Sequence, residues 1–204
     1  MRELQSGLWW WEALHPDVSP EDAAGWEHDW GPEVSSYAID DGERLLLVDP
    51  TEPPSPLAEL ADERETVIVL TCPWHQRDAV RLAERIGAPI HVPPPDEGDP
   101  SPVPGTVFRP GDRLPVGIEA FPGMEPNDLV LWIESSRAVV AGDTLIDRGR
   151  GVEFPRDWAE KGNFPAERIL AGLQALLELP VELNLPTHGA PADRAALERA
   201  LAEP

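Results

Sequence analysis

The chain has 204 residues, 41% of them apolar, and carries 38 acidic against 16 basic side chains, a formal charge of −22. Its length and apolar content suit one substantial domain with a buried core. The charge excludes a nucleic-acid or anionic-membrane surface, which need a basic face, and a single cysteine, Cys72, excludes an internal disulfide or a cysteine-based zinc cluster.

No apolar run approaches the length of a membrane span. The N-terminus has no secretory core, because Trp9-Trp10-Trp11 is followed at once by Glu12, so a cytoplasmic protein is expected. The 25 prolines cluster between elements and shorten loops.

Residues 7–14 read as a tryptophan-rich strand ended by His15-Pro16-Asp17. Ser19-Pro20-Glu21-Asp22 reads as a turn or the start of a short helix. An aromatic loop over 25–32 carries Trp26, His28 and Trp30. Strands over 35–39 and 44–48 make a hairpin turned at Asp40-Asp41-Gly42, and Asp49-Pro50 stops it. A short helix is expected over 56–62. The run Thr66-Val67-Ile68-Val69-Leu70 is a buried strand, and Cys72-Pro73-Trp74 is the loop behind it. A helix over 75–86 turns Val80, Leu82, Ala83 and Ile86 inward, and Gly87 caps it before a short strand over 89–92. Residues 93–104, full of prolines and acids and without periodicity, form an exposed excursion.

Short strands follow around Val107 and Leu114, then a strand over 117–121 that closes at Pro122-Gly123. Residues 129–134 and 137–141 pair as a hairpin turned at Ser135-Ser136. In its second arm Ala138-Val139-Val140-Ala141 is buried, Gly142 lets the backbone turn, and Asp143 emerges at the strand's end. A carboxylate there is costly unless a cation or several donors face it. A long loop over 146–162 holds Phe154 and Trp158, which can rim a substrate cleft or anchor the loop. A helix over 165–177 turns Ile169, Leu170, Leu173 and Leu176 inward. A strand over 181–185 ends in the loop Pro186-Thr187-His188-Gly189, and a helix over 192–202 closes the chain. No repeat or linker divides it, so 1–204 reads as a single α/β (α+β) domain, two sheets with helices outside.

Ser36-Tyr37-Ala38-Ile39 with Leu47-Val48-Asp49, then Ala141-Gly142-Asp143-Thr144-Leu145, then Pro186-Thr187-His188-Gly189-Ala190-Pro191 follow in order. Together they resemble the metallo-β-lactamase-fold hydrolases over nearly the whole chain. The resemblance implies a four-layer αββα sandwich with the active site along one edge of the two sheets. Members with full activity carry His-x-His-x-Asp-His after the second buried strand. They carry a further His after a Pro-Gly, the Asp of Gly-Asp-Thr, and a last His before a Gly.

Here Thr71-Cys72-Pro73-Trp74-His75-Gln76-Arg77-Asp78 stands in the first motif's place, and Met124 follows Pro122-Gly123. Counting back from the helix and Gly87-Ala88-Pro89 puts His75 on the motif's last His and Trp74 on its Asp. Counting forward from Thr71 puts Gln76 and Arg77 on those two places instead. The first register is preferred, because helix length is harder to change than loop length. Under it the site is degenerate: one metal loses all three ligands, and the other keeps His75, Asp143 and His188.

Two readings follow. In the first, a hydrolase holds one divalent metal, Zn²⁺, Fe²⁺ or Mn²⁺, on His75, Asp143 and His188, and acts on an ester-like small molecule. Trp74 and Met124 fill the lost metal's space and make the pocket apolar. Arg77 binds an anionic group of the ligand or sits in a surface salt bridge. Trp158 rims the cleft, and Asp49 and Asp78 support the ligands from outside. Cys72 is a conceivable soft ligand but reads better as a small buried residue. In the second reading the chain is a metal-free binding module whose Asp143 is tied to backbone donors or an arginine. The fold does not imply a β-lactam substrate.

Overall fold

The computed structural model describes residues 1–28, 30–97 and 99–202, apart from the side chain of Val116. Asp29 of the aromatic loop and Gly98 of the proline-rich excursion lie outside the described residues. The first sheet runs β1 (Arg2–Gln5), β2 (Leu8–Leu14), β3 (Glu33–Asp40), β4 (Arg44–Val48), β5 (Glu65–Val69), β6 (Ile90–Val92), β7 (Thr106–Val107). It is antiparallel up to β4 and parallel from there on. The second runs β8 (Arg113–Leu114), β9 (Ile118–Pro122), β10 (Leu129–Ile133), β11 (Ala138–Val140), β14 (Leu183–Leu185), β15 (Ala192–Asp193), and only β11 and β14 pair in parallel. A two-stranded hairpin, β12 (Ile146–Asp147) with β13 (Val152–Glu153), stands apart.

Strand β4 shows how the layers form. Leu45, Leu46, Leu47 and Val48 are all fully buried, so the strand must be covered on both faces. Leu46 and Val48 meet Val69, Leu131, Val140 and Leu185 between the two sheets. Leu45 and Leu47 point the other way, to Leu57 and Ala61 of α2 (Ser55–Glu63) and Leu82 of α3 (Ala79–Ile86). Strand β10 does the same in mirror image. Leu129, Leu131 and Ile133 enter the inter-sheet core. Val130 and Trp132 pack under Leu170 and Leu173 of α5 (Ala166–Leu173) and Leu197 and Leu201 of α6 (Arg194–Ala202). The result is an αββα sandwich. No helix among the described residues is long and apolar enough to cross a membrane.

Several expectations shift. Strand β1 pairs with β2 although its sequence, Arg-Glu-Leu-Gln, carries no apolar alternation. The turn at Ser19 is a short helix, α1 (Pro20–Ala24), with the Ser19 side chain accepting the Asp22 N–H. The long loop after Asp143 contains β12, β13 and α4 (Arg156–Lys161). The helix expected to start at His75 begins only at Ala79. Residues 75–78 instead form a turn in which Arg77 takes φ 39°, a left-handed conformation that interrupts a helix.

Strands β4 and β5 end in register at Val48 and Val69, and β11 and β14 at Val140 and Leu185. The loops that leave these four ends carry Asp49, Thr71 to His75, Asp143 and His188, which meet at one edge of the sandwich.

Candidate functional site

Asp49 leaves β4 at φ 43°, a conformation that aspartate tolerates better than most residues. Its carboxylate is fully buried. Oδ1 accepts the Thr71 backbone N–H at 2.9 Å, and Oδ2 accepts the Thr71 hydroxyl. His75 Nδ1 lies 3.1 Å from the same Oδ2 and 3.0 Å from Thr71 Oγ1. The carboxylate can only accept, so Nδ1 carries the proton and Nε2 is left to face the cleft.

That Nε2 lies 3.2 Å from Asp143 Oδ1, and His188 Nε2 lies 3.3 Å from the same oxygen. Neither contact has hydrogen-bond geometry, and Asp143 Oδ1 is buried without a hydrogen bond. Bonds of about 2.0–2.1 Å to a tetrahedral zinc leave neighbouring N and O ligands about 3.3–3.4 Å apart, so the spacing suits ligands that share an ion. Cys72 closes the group from below. A ligand atom from each of Cys72, His75 and Asp143 lies within 4.8 Å of the others. Its sulfur is 3.5 Å from His75 Nδ1. Cys72, His75 and Asp143 can thus hold a single cation together, and His188 reaches the same Asp143 oxygen from outside that group.

A second buried acid, which the sequence reading does not single out, supports the first. Asp128 Oδ1 accepts the Asp143 backbone N–H at 3.2 Å and the Cys72 thiol at 3.4 Å, and Oδ2 accepts the Thr144 hydroxyl at 2.6 Å. Thr144 Oγ1 in turn accepts the Met124 N–H at 2.8 Å. Gly142 lets this happen. It sits at φ 54°, and a β-carbon there would lie 2.1 Å from Asp128 Oδ1. Gly142→Ala is therefore expected to cost about 2–4 kcal/mol, combining left-handed strain with displacement of a buried acid. Chemical denaturation of the variant checks it.

Burial and charge set the protonation. Burial lowers the His75 pKa, but the carboxylates of Asp143 and Asp49 overcome it and raise the value to about 9. Burial raises Asp143, yet the two imidazoles hold it well below the usual carboxylate range. Burial, then the Asp143 charge, lifts Asp128 to about 7. Burial keeps His188 below the ordinary histidine value despite Asp143, and it pushes the Cys72 thiol well up. Without metal, the site holds a proton on His75 between two carboxylates.

This predicts the stability of the metal-free protein above neutrality. A histidine raised from 6.5 to about 9 stabilises fully below 6.5, and that stability is lost as pH rises through 9. Asp128, at about 7, sheds its remaining proton at the lower edge of that window and acts in the same direction, while the His188 pKa is lowered, so His75 dominates up to 9. The unfolding free energy should fall by about 2–3 kcal/mol across that window, read by urea denaturation at several pH values.

The remaining candidates separate. The Trp74 indole Nε1 donates to Asp143 Oδ2 at 2.8 Å, so Trp74 stands at the site. Arg77 is turned into the fold: its guanidinium donates to the carbonyls of Ser35 in β3 (2.6 Å), Asp49 (2.7 Å) and Thr187 (3.3 Å), tying the strand to two site loops. Met124 is buried in the core under the second sheet. Trp158 lies edge-on to the His188 ring at 6.3 Å, and Trp30 of the aromatic loop at 4.7 Å. Asp78 is elsewhere, accepting the Glu52 N–H and pairing with Arg81 on the surface of α3.

No protein-family model matches the sequence, and no curated protein matches it. Solved structures do match. The DIM-1 metallo-β-lactamase superposes with a TM-score of 0.68 at 13% identity, covering 98% of this chain and 94% of that one. TTHA1623, solved in a di-iron-bound form, gives 0.59 at 24% identity over 82% and 93% of the two chains. The metallo-β-lactamase family protein TTHA1429 from Thermus thermophilus gives 0.61 at 19% over 98% and 80%.

Proposed function

We propose that this chain, which has the metallo-β-lactamase fold, is a hydrolase that holds one divalent metal ion and cleaves an ester-like bond in a small molecule. The ligands are His75, Asp143 and His188, with Cys72 within reach as a fourth. The observation that carries the reading is the buried Asp143 Oδ1, which has no hydrogen bond and is flanked by two imidazole nitrogens. A buried carboxylate oxygen without a hydrogen bond is expensive, and a cation is the partner these donors suit.

When bound, such an ion supplies a Lewis acid and lowers the pKa of an attached water to about 7. The chain's own residues do the rest. Asp49 and Thr71 hold the His75 ring so that Nε2 faces the cleft. Asp128 fixes the Asp143 backbone. Trp74 takes up Asp143 Oδ2 and leaves Oδ1 free to coordinate. A second ion has no matching ligand set among the described residues: in the preferred register Cys72 stands on one of the motif's first two histidines, and Met124 follows Pro122-Gly123 where a further histidine is needed.

Metal analysis of protein purified without chelator tests this. One zinc, iron or manganese per chain is expected, together with stabilisation by added metal of about 2–3 kcal/mol at a hundredfold excess over Kd. Coordination displaces the His75 proton, so affinity should rise between pH 7 and 9. Ester and thioester panels then read activity. Absence of both stoichiometric metal and stabilisation overturns the proposal. It would favour a metal-free binding module, in which the Trp74 hydrogen bond and the contacts with His75 and His188 hold the Asp143 carboxylate.

A further inference from the structure

Beside the candidate site, Trp74 forms one wall of a cavity of about 340 Å³. The opposite wall is the proline-rich excursion, which presents Pro95, Pro100 and Pro102 together with Asp96 and Asp99. We infer that this cavity binds a small organic cation, an amine or quaternary ammonium group carried on the molecule that is cleaved. The inference names the substrate class for the hydrolase reading and rests on it for the word substrate, while binding itself needs no metal.

Three observations converge. Trp74 is 38% exposed, unusual for a large apolar side chain in this molecule, and its indole N–H is tied to Asp143. The ring is therefore held in place with surface to spare, which suits a cation seated on an indole. No arginine or lysine is among the described residues that line the cavity, so its two aspartates face no protein cation across it. Asp96 is fixed instead by the Asn127 amide at 2.9 Å, and Asn127, itself 3% exposed, keeps a buried Oδ1 without a partner. Close by, burial and then the charges of Asp143 and Asp96 raise the Glu125 pKa.

The wall chemistry narrows the class. Proline rings and an indole offer apolar, polarisable surface with few donors, which suits the methyl-rich shell of an alkylammonium better than a hydrated metal ion or a sugar. The net charge of −22 adds a long-range field that gathers cations and repels anions.

Choline and its neutral carbon isostere, 3,3-dimethylbutan-1-ol, are the probes. Both are titrated into full-length protein by calorimetry at low and high salt, with and without zinc. Choline is expected to bind about tenfold more tightly than the alcohol. Trp74→Leu, and separately the double variant Asp96→Asn with Asp99→Asn, should each remove about tenfold of that affinity. Zinc should leave choline binding nearly unchanged. Equal affinity for the two probes, choline binding that both variants leave intact, or no saturable choline binding at all overturns the inference. A protein that binds choline but no metal keeps this inference and loses the hydrolase reading. One that binds metal and hydrolyses esters but shows no preference for cations does the reverse.

Discussion

His188→Ala should leave the protein folded and without metal. The His188 ring sits at the end of β14 with Nδ1 free of hydrogen bonds, and its contacts are aromatic edges from Trp30 and Trp158. Removing it takes away one of two imidazoles beside Asp143 Oδ1 but no hydrogen bond that holds loops together. Changes to residues that merely orient a ligand cost about 10–100-fold in metal affinity, so loss of a ligand should cost at least about 100-fold. Metal content should fall from one per chain to near zero, and hydrolysis with it. His75→Ala should do the same and also destabilise, because the buried Asp49 carboxylate loses one of its partners. Asp78→Asn should change neither metal content nor activity, since Asp78 faces Glu52 and Arg81 away from the site. Full metal occupancy in His188→Ala would refute the ligand set.

The sandwich is legible in the sequence because alternation and end signals are strong. Leu45 to Val48 and Leu129 to Ile133 are apolar throughout, which only doubly covered strands allow. Asp143 and His188 are legible as loop residues at the ends of such strands. His75 is legible only through a counting argument, and its immediate surroundings are not. Nothing local marks Arg77 for a left-handed turn; the reason is three carbonyls, of Ser35 in β3 and of Asp49 and Thr187 in two loops, that converge on its guanidinium. Asp128 is invisible because an acid after an asparagine in a Pro-rich turn reads as solvent-facing. Only its placement beside Gly142 shows that it sits under Asp143. Cys72 reads as a small buried residue for want of a basic neighbour in sequence. His75 lies three residues on in the same loop, and the structure brings Asp143 to the pair from across the fold.

Asp49 separates fold from chemistry, because two substitutions there should fail in different ways. Asp49→Ala removes the acceptor for the Thr71 N–H, the Thr71 hydroxyl and His75 Nδ1, all of them buried. Leaving several buried donors unpaired beside a histidine that has lost one of its two counter-charges should cost about 3–5 kcal/mol. In a chain of this length that lowers Tm by about 10 °C. Asp49→Asn keeps the shape and one acceptor oxygen, which can still take the Thr71 N–H, so most of the stability should remain. Its amide nitrogen, however, cannot accept from His75. The imidazole is then pushed to carry its proton on Nε2, where it faces Asp143 and no longer offers a lone pair. Metal affinity should drop about 10–100-fold with a Tm loss well below that of the alanine variant. Thermal denaturation and metal titration of both proteins decide the matter. A stable Asp49→Ala protein would show that the buried carboxylate does not hold the loop, and unchanged metal affinity in Asp49→Asn would show that it does not set the tautomer of His75.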